Sequence, residues 1–159
     1  MKQTFRLSPL LLISVCFLGF NKIETIRPPQ SINSLSFGSA MIIIDMTDCS
    51  TDNSSDGKSR AIAAVNSSNA SMCTIQFGTL EPASGTYITT QEETIGAGQV
   101  VLGGAGAAFG DGFIAIAGQK IAITSVGGKY NAAFKDLVLV DPTSKQTISK
   151  KISGNFGCN

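Results

Sequence analysis

The sequence predicts an all-β fold, an antiparallel β-sandwich of about nine strands, and three observations carry the prediction. From residue 35 onward, short runs rich in Ile, Val, Phe and Thr are separated by clusters of Gly, Asn, Asp and Ser. Apart from the ambiguous Ala61 to Val65, no stretch shows an apolar stripe of helical period. The segment Gln119 to Asp136, QKIAITSVGGKYNAAFKD, has both the turn and the alternation of a hairpin. A partly closed barrel is the alternative arrangement of the same strands.

Taken in order, residues 21–34 contain Pro28-Pro29 and no periodicity, so they read as a linker or extended arm ahead of one domain spanning 35–159. Strands are expected over Leu35 to Met46, Ala61 to Val65, Cys73 to Leu80, Thr86 to Thr90, Gln99 to Leu102 and Phe113 to Ala117. In the hairpin, Gly127-Gly128 supplies positive φ at both turn positions and pairs Val126 with Lys129. That register places Ile121, Ile123, Ala132 and Phe134 on an apolar face, and Lys120, Ala122, Thr124, Lys129, Asn131 and Lys135 on a face that suits water. Asp136 then breaks the phase, which predicts a bulge followed by a strand, Leu137 to Val140, covered on both sides. Asp141-Pro142-Thr143-Ser144 reads as a turn with proline at its second position. Thr147 to Phe156 is the closing strand, and Lys150 on its apolar side suggests an edge.

Ahead of the domain, residues 1–20 place Lys2 and Arg6 before an apolar run from Leu7 to Phe20, the layout of a secretory signal peptide. The run is shorter than the roughly 20 apolar residues a spanning helix requires, and Pro9 interrupts it. The expected location is therefore outside the cytoplasm, in the periplasm, at the cell surface or beyond it, with no transmembrane segment in the mature chain.

Once Lys2 and Arg6 are removed with the leader, ten basic side chains face eleven acidic ones, a net charge of −1, and nothing calls for a nucleic-acid partner. The charge is uneven, since residues 119–159 hold six basic and two acidic groups. The chain has no histidine, which excludes Ser-His-Asp and Cys-His catalysis and imidazole zinc sites. It also lacks tryptophan, so sugar stacking would fall to Tyr87, Tyr130 or a phenylalanine.

Three cysteines follow the leader, Cys49, Cys73 and Cys158, enough for one internal bridge. The favoured pairing is Cys49 with Cys73, because antiparallel strands at Met41 to Met46 and Thr74 to Leu80 would bring them together and close a loop of about 25 residues. Cys49 with Cys158, tying the C-terminus to the first strand, is the rival.

The stretch Asp48 to Ser59, DCSTDNSSDGKS, ends like a phosphate loop, but Asp52 stands where the first glycine belongs and its carboxylate would repel phosphate. Calcium fits better: Asp52, Ser54 and Asp56 alternate oxygen ligands before Gly57, with Asp48 or Asp45 available to complete a site, although Ala63 occupies the position of the bidentate glutamate. The metal candidates are thus Asp48, Asp52, Ser54 and Asp56, for calcium. Asn53, Asn66 and Asn69 each begin an N-x-S acceptor pattern in polar segments. The glycine-rich Gly96 to Gly112 lacks the third glycine and the helix of a dinucleotide site, and reads as a flexible loop. Glu92-Glu93 is the remaining carboxylate pair for a two-carboxylate hydrolase.

Pro82-Ala83-Ser84-Gly85-Thr86-Tyr87, the Gly-Gly hairpin and Ile152-Ser153-Gly154-Asn155-Phe156-Gly157-Cys158 together resemble uncharacterised small β-sandwich proteins exported by Gram-negative bacteria, over roughly residues 72–158. The resemblance implies a fold and a compartment and transfers no site residue. The expected function is that of a non-enzymatic binding or structural module without cofactor, engaging a protein or glycan. A calcium-supported adhesin or glycan binder is the second reading, and the hydrolase the third.

Overall fold

In the computed structural model, residues 33–49 and 59–158 are described. The expected signal peptide, most of the expected arm, and Asp52, Asn53, Ser54 and Asp56 lie outside them. The strands are β1 (Ser34–Phe37), β2 (Ala40–Ile43), β3 (Met46–Asp48), β4 (Arg60–Asn66), β5 (Ser71–Phe77), β6 (Gly85–Thr89), β7 (Gln99–Gly106), β8 (Gly110–Ala115), β9 (Lys120–Val126), β10 (Lys129–Val140) and β11 (Thr147–Gly157). A single 3-10 turn, Ser67–Asn69, joins β4 to β5, with the Asn66 side chain accepting from the Asn69 amide.

These strands form one sheet in the order β2-β1-β11-β10-β9-β6-β7-β5-β4-β3. β8 pairs with both β10 and β7, so the sheet turns back on itself and its two arms stack as layers. One arm is β10-β11-β1-β2 and the other β7-β5-β4-β3. The strands β10, β9, β6, β7 and β8 make a closed circuit, but only two residue pairs, Leu139 with Ala115 and Val140 with Ile114, bind β8 to β10. The predicted sandwich is what forms, with eleven strands among the described residues instead of nine and one parallel contact, β6 with β7, inside the otherwise antiparallel order.

Alternation sets the core. Leu35 and Phe37 of β1, Ile75 and Phe77 of β5, Ile121 and Ile123 of β9, and Ile152 and Phe156 of β11 all point inward and are buried. Phe37 stacks on Phe113 of β8 with centroids 6.0 Å apart, and Phe77 meets Tyr87 of β6 edge-on at 5.3 Å.

The hairpin forms in the predicted register: Lys129 faces Val126, Tyr130 faces Ser125 and Ala132 faces Ile123, with φ of 59° and 79° at Gly127 and Gly128. The bulge also lies where the phase break placed it. Phe134 pairs with Gly154 and Leu137 with Ile152, so β10 carries one extra residue and Asp136 sits at φ 53°. Beyond the bulge, the Gln119 side chain takes up the Val138 backbone, accepting from its amide at 2.7 Å and donating to its carbonyl at 2.9 Å.

Three expectations are corrected. Leu35 to Met46 is not one strand: Gly38, at φ 62°, turns it into the β1-β2 hairpin, and a further break precedes β3. The glycine-rich segment is not a loop throughout, because β7 runs to Gly106 and β8 starts at Gly110. Its glycines let strands approach closely: a Cβ on Gly104 would stand 2.5 Å from the Phe113 ring, and one on Gly106, at φ 115°, would stand 2.2 Å from the Ala70 carbonyl oxygen. The closing strand β11 is not an edge, since it runs between β1 and β10, and Lys150 extends its ammonium over the Phe37 ring at 5.2 Å.

At the end of β10, the Asp141 carboxylate accepts from the Ser144 amide at 2.7 Å and the Thr143 amide at 2.8 Å. These bonds, Ser144 first, hold its carboxyl below the ordinary 3.8. A group with a depressed folded-state pKa stabilises the fold above the unfolded value and loses that contribution as pH falls through the folded one. Asp141→Ala should therefore lower Tm at neutral pH, with the gap from the parent protein closing below 3.8, as a series of thermal melts would record.

Candidate functional site

The described residues flanking the acidic stretch, Cys49 and Arg60, are both anchored. Cys49, one residue past β3, is bridged to Cys158 at a Cα–Cα distance of 5.9 Å. Arg60, at the start of β4, donates from Nη1 to the Cys49 carbonyl at 2.8 Å and from Nε to the Leu80 carbonyl, with its guanidinium 4.9 Å from the centre of the Tyr130 ring.

The favoured Cys49–Cys73 pairing does not form. β3 pairs with β4 and β4 with β5, so a whole strand separates the two cysteines, and Cys73 points inward opposite Ala64. Cys73 is a fully buried thiol, and burial pushes its pKa far up, out of reach of redox chemistry at physiological pH. The rival pairing holds because β11 lies across the sandwich from β3 and β4. Their ends meet, and the bridge joins the two layers.

Of the calcium candidates, Asp48 is exposed at the end of β3. Asp45, the reserve ligand, is engaged elsewhere, with its carboxylate accepting from the Ser67 amide at 3.0 Å and the Ser67 hydroxyl at 2.6 Å. The Ser67 hydroxyl chiefly lowers the Asp45 pKa, desolvation opposes it, and the Ser67 amide adds to the lowering. Among the described residues, no group of three or more His, Cys, Asp or Glu is placed to hold a metal. Glu92 and Glu93 are both exposed between β6 and β7.

A concave surface lies elsewhere, on the outward face of the sheet around the predicted hairpin. A trough of about 870 Å³ crosses β6, β9, β10, β11, β1 and β2. Register explains its floor: Thr86 faces Ala122, Ala122 faces Ala133, Ala133 faces Asn155, and Asn155 faces Ser34. Side chains this small, in line across five strands, leave a furrow. Gly154 beneath it carries no side chain because Phe134 and Leu35 fill that space on the core side, at 2.7 and 2.9 Å from where a Cβ would be.

Two cations line this furrow, Lys120 of β9 and Lys135 of β10. They lie beyond the last β9–β10 pair, Ala133 with Ala122, on the same outward side of the two strands. Neither makes an ion pair among the described residues. Asp136 in the bulge, next to Lys135 in sequence, accepts at 3.4 Å from the hydroxyl of Ser153, another lining residue. Met41, 71% exposed, walls the far end on β2.

Sequence reasoning had assigned Lys120, Ala122 and Lys135 to a solvated face and missed the contribution of β1 and β11. The available signal was the run of small outward residues at alternate positions, Ser34 and Ser36, then Ser153 and Asn155, beside the basic bias of residues 119–159.

No family model matches the chain, and no curated protein or solved structure matches it either. Among the described residues, no helix is long and apolar enough to cross a membrane.

Proposed function

We propose that the chain is an exported, non-catalytic binding module of the bacterial envelope or the extracellular space, and that the trough over β6, β9, β10, β11, β1 and β2 is its contact surface. The observation that carries the reading is the furrow itself: a long concave surface of small side chains on a rigid sheet presents backbone and short polar groups to a partner. Export is supported by the leader-like residues 1–20 and by a disulfide, which persists in oxidising compartments. The lack of histidine throughout the sequence favours binding over acid-base catalysis.

Fractionation with intact-mass analysis tests the compartment, and adsorption to purified envelopes tests the surface. The expected results are recovery outside the cytosol at a mass lacking the leader, and adsorption lost on Ala122→Tyr, which fills the furrow at an exposed position where a tyrosine suits a strand. Recovery from cytosol with residues 1–20 intact would overturn the first, and equal adsorption of the variant the second.

A further inference from the structure

We infer that the trough takes an acidic polysaccharide, an extended chain of sugars bearing carboxylates. The inference rests on the trough being the contact surface. Its starting point is a pair of cations on neighbouring strands: Lys120 of β9 and Lys135 of β10 both line the trough, and neither has an ion-pair partner among the described residues. Anionic groups spaced along a ligand in the trough supply the partners these two ammonium groups lack.

The charge continues beyond this pair. Alternation places Lys129 on the same face of β10 as Asn131 and Ala133, and Lys151 on the same face of β11 as Ser153 and Asn155. β9, β10 and β11 thus each present ammonium groups outward, and the trough's own lining includes no carboxylate. The surface is weakly and locally cationic on a chain whose formal net charge is only +1.

Shape narrows the ligand. Six strands spaced about 4.8 Å apart make a furrow roughly 24 Å long, enough for several units of an extended polymer and far more than a single ion needs. Ser34 and Thr86 offer hydroxyls and Asn155 an amide nitrogen suited to sugar hydroxyls, while Ser36 and Ser153 are already hydrogen-bonded within the protein. No tyrosine lines the furrow and its one phenylalanine, Phe134, is buried, so the stacking platform on which single-stranded nucleic acids rely is missing. Recognition then comes from charge and hydrogen bonds, which a uronic-acid chain supplies at every residue.

The test uses the oxidised mature chain and calorimetric titration with oligogalacturonate, with maltodextrin of the same length, with a single-stranded oligonucleotide and with phosphatidylglycerol-containing vesicles. Oligogalacturonate should bind, more weakly as salt is raised, and maltodextrin should not. Lys120→Gln combined with Lys135→Gln should weaken binding about tenfold, and Ala122→Tyr should weaken it comparably, with both variants melting near the parent Tm because all three positions are exposed. Absence of oligogalacturonate binding, or equal binding of maltodextrin, overturns the acidic class; if Ala122→Tyr still blocks the neutral glycan, the surface itself stands. Oligogalacturonate binding indifferent to both variants overturns the surface. Tighter binding of the oligonucleotide or the vesicles overturns the polysaccharide.

Discussion

Replacing Cys49 and Cys158 together with serine should lower the unfolding free energy by about 4 kcal/mol and Tm by roughly 12 °C. The bridge spans 109 residues, so breaking it restores to the unfolded chain nearly all the freedom that a crosslink of this kind removes. In the folded state the loss is local, because Arg60 still holds the Cys49 carbonyl and the β11 ladder continues to Gly157. Denaturant melts of the parent and the double variant measure the difference, and melts of the parent under reductant should reproduce it. Labelling of the leaderless chain in denaturant without reductant should find one thiol, Cys73. Two protected cysteines that include Cys73, or unchanged melts, would show that the layers are not joined in this way.

Phe156→Ala should cost about 3–5 kcal/mol, the range for truncating a fully buried aromatic ring. Phe156 has no exposed surface and meets Phe134 edge-on, with centroids 5.9 Å apart. β11 lies in the middle of its arm, paired with β1 on one side and β10 on the other, so the void cannot be closed by fraying of an edge. Phe156→Leu, which keeps most of the volume, should recover more than half of the loss in the same melts. Equal destabilisation by the two substitutions would mean that ring contacts, and not filled volume, hold this part of the core.

The fold was legible wherever local chemistry determined it. The Gly127-Gly128 turn, the alternation around it and the phase break at Asp136 each have a physical cause within a few residues, and each element formed in the expected register. What was not legible depended on partners distant in sequence. Nothing near Cys49 indicates that β4 intervenes before β5, so the choice between Cys73 and Cys158 could not be made from spacing. The glycine-rich segment was read as mobile because its residues lack side chains, whereas Gly104 and Gly106 are small so that Phe113 and the β4–β5 connection can approach them. The trough was invisible for the same reason: Ser34 and Asn155 are 121 positions apart in the chain, and only the sheet order sets them side by side. The lysine bias of residues 119–159 was visible, but its concentration on one face depended on where β11 inserts.

The placement of β11 also governs when the molecule can take shape. The last strand of the chain slots between the first and the tenth, and its final cysteine reaches back to residue 49. A ribosome that has released only the first hundred residues has produced a polypeptide with no seat for β1 and no mate for Cys49. Assembly therefore waits for the C-terminus, and pairings so remote in sequence are slow to find, on the order of milliseconds to seconds. On the proposed reading of an exported protein, a chain that stays unfolded until β11 is made is in the state a narrow export channel accepts, with the bridge closing afterwards.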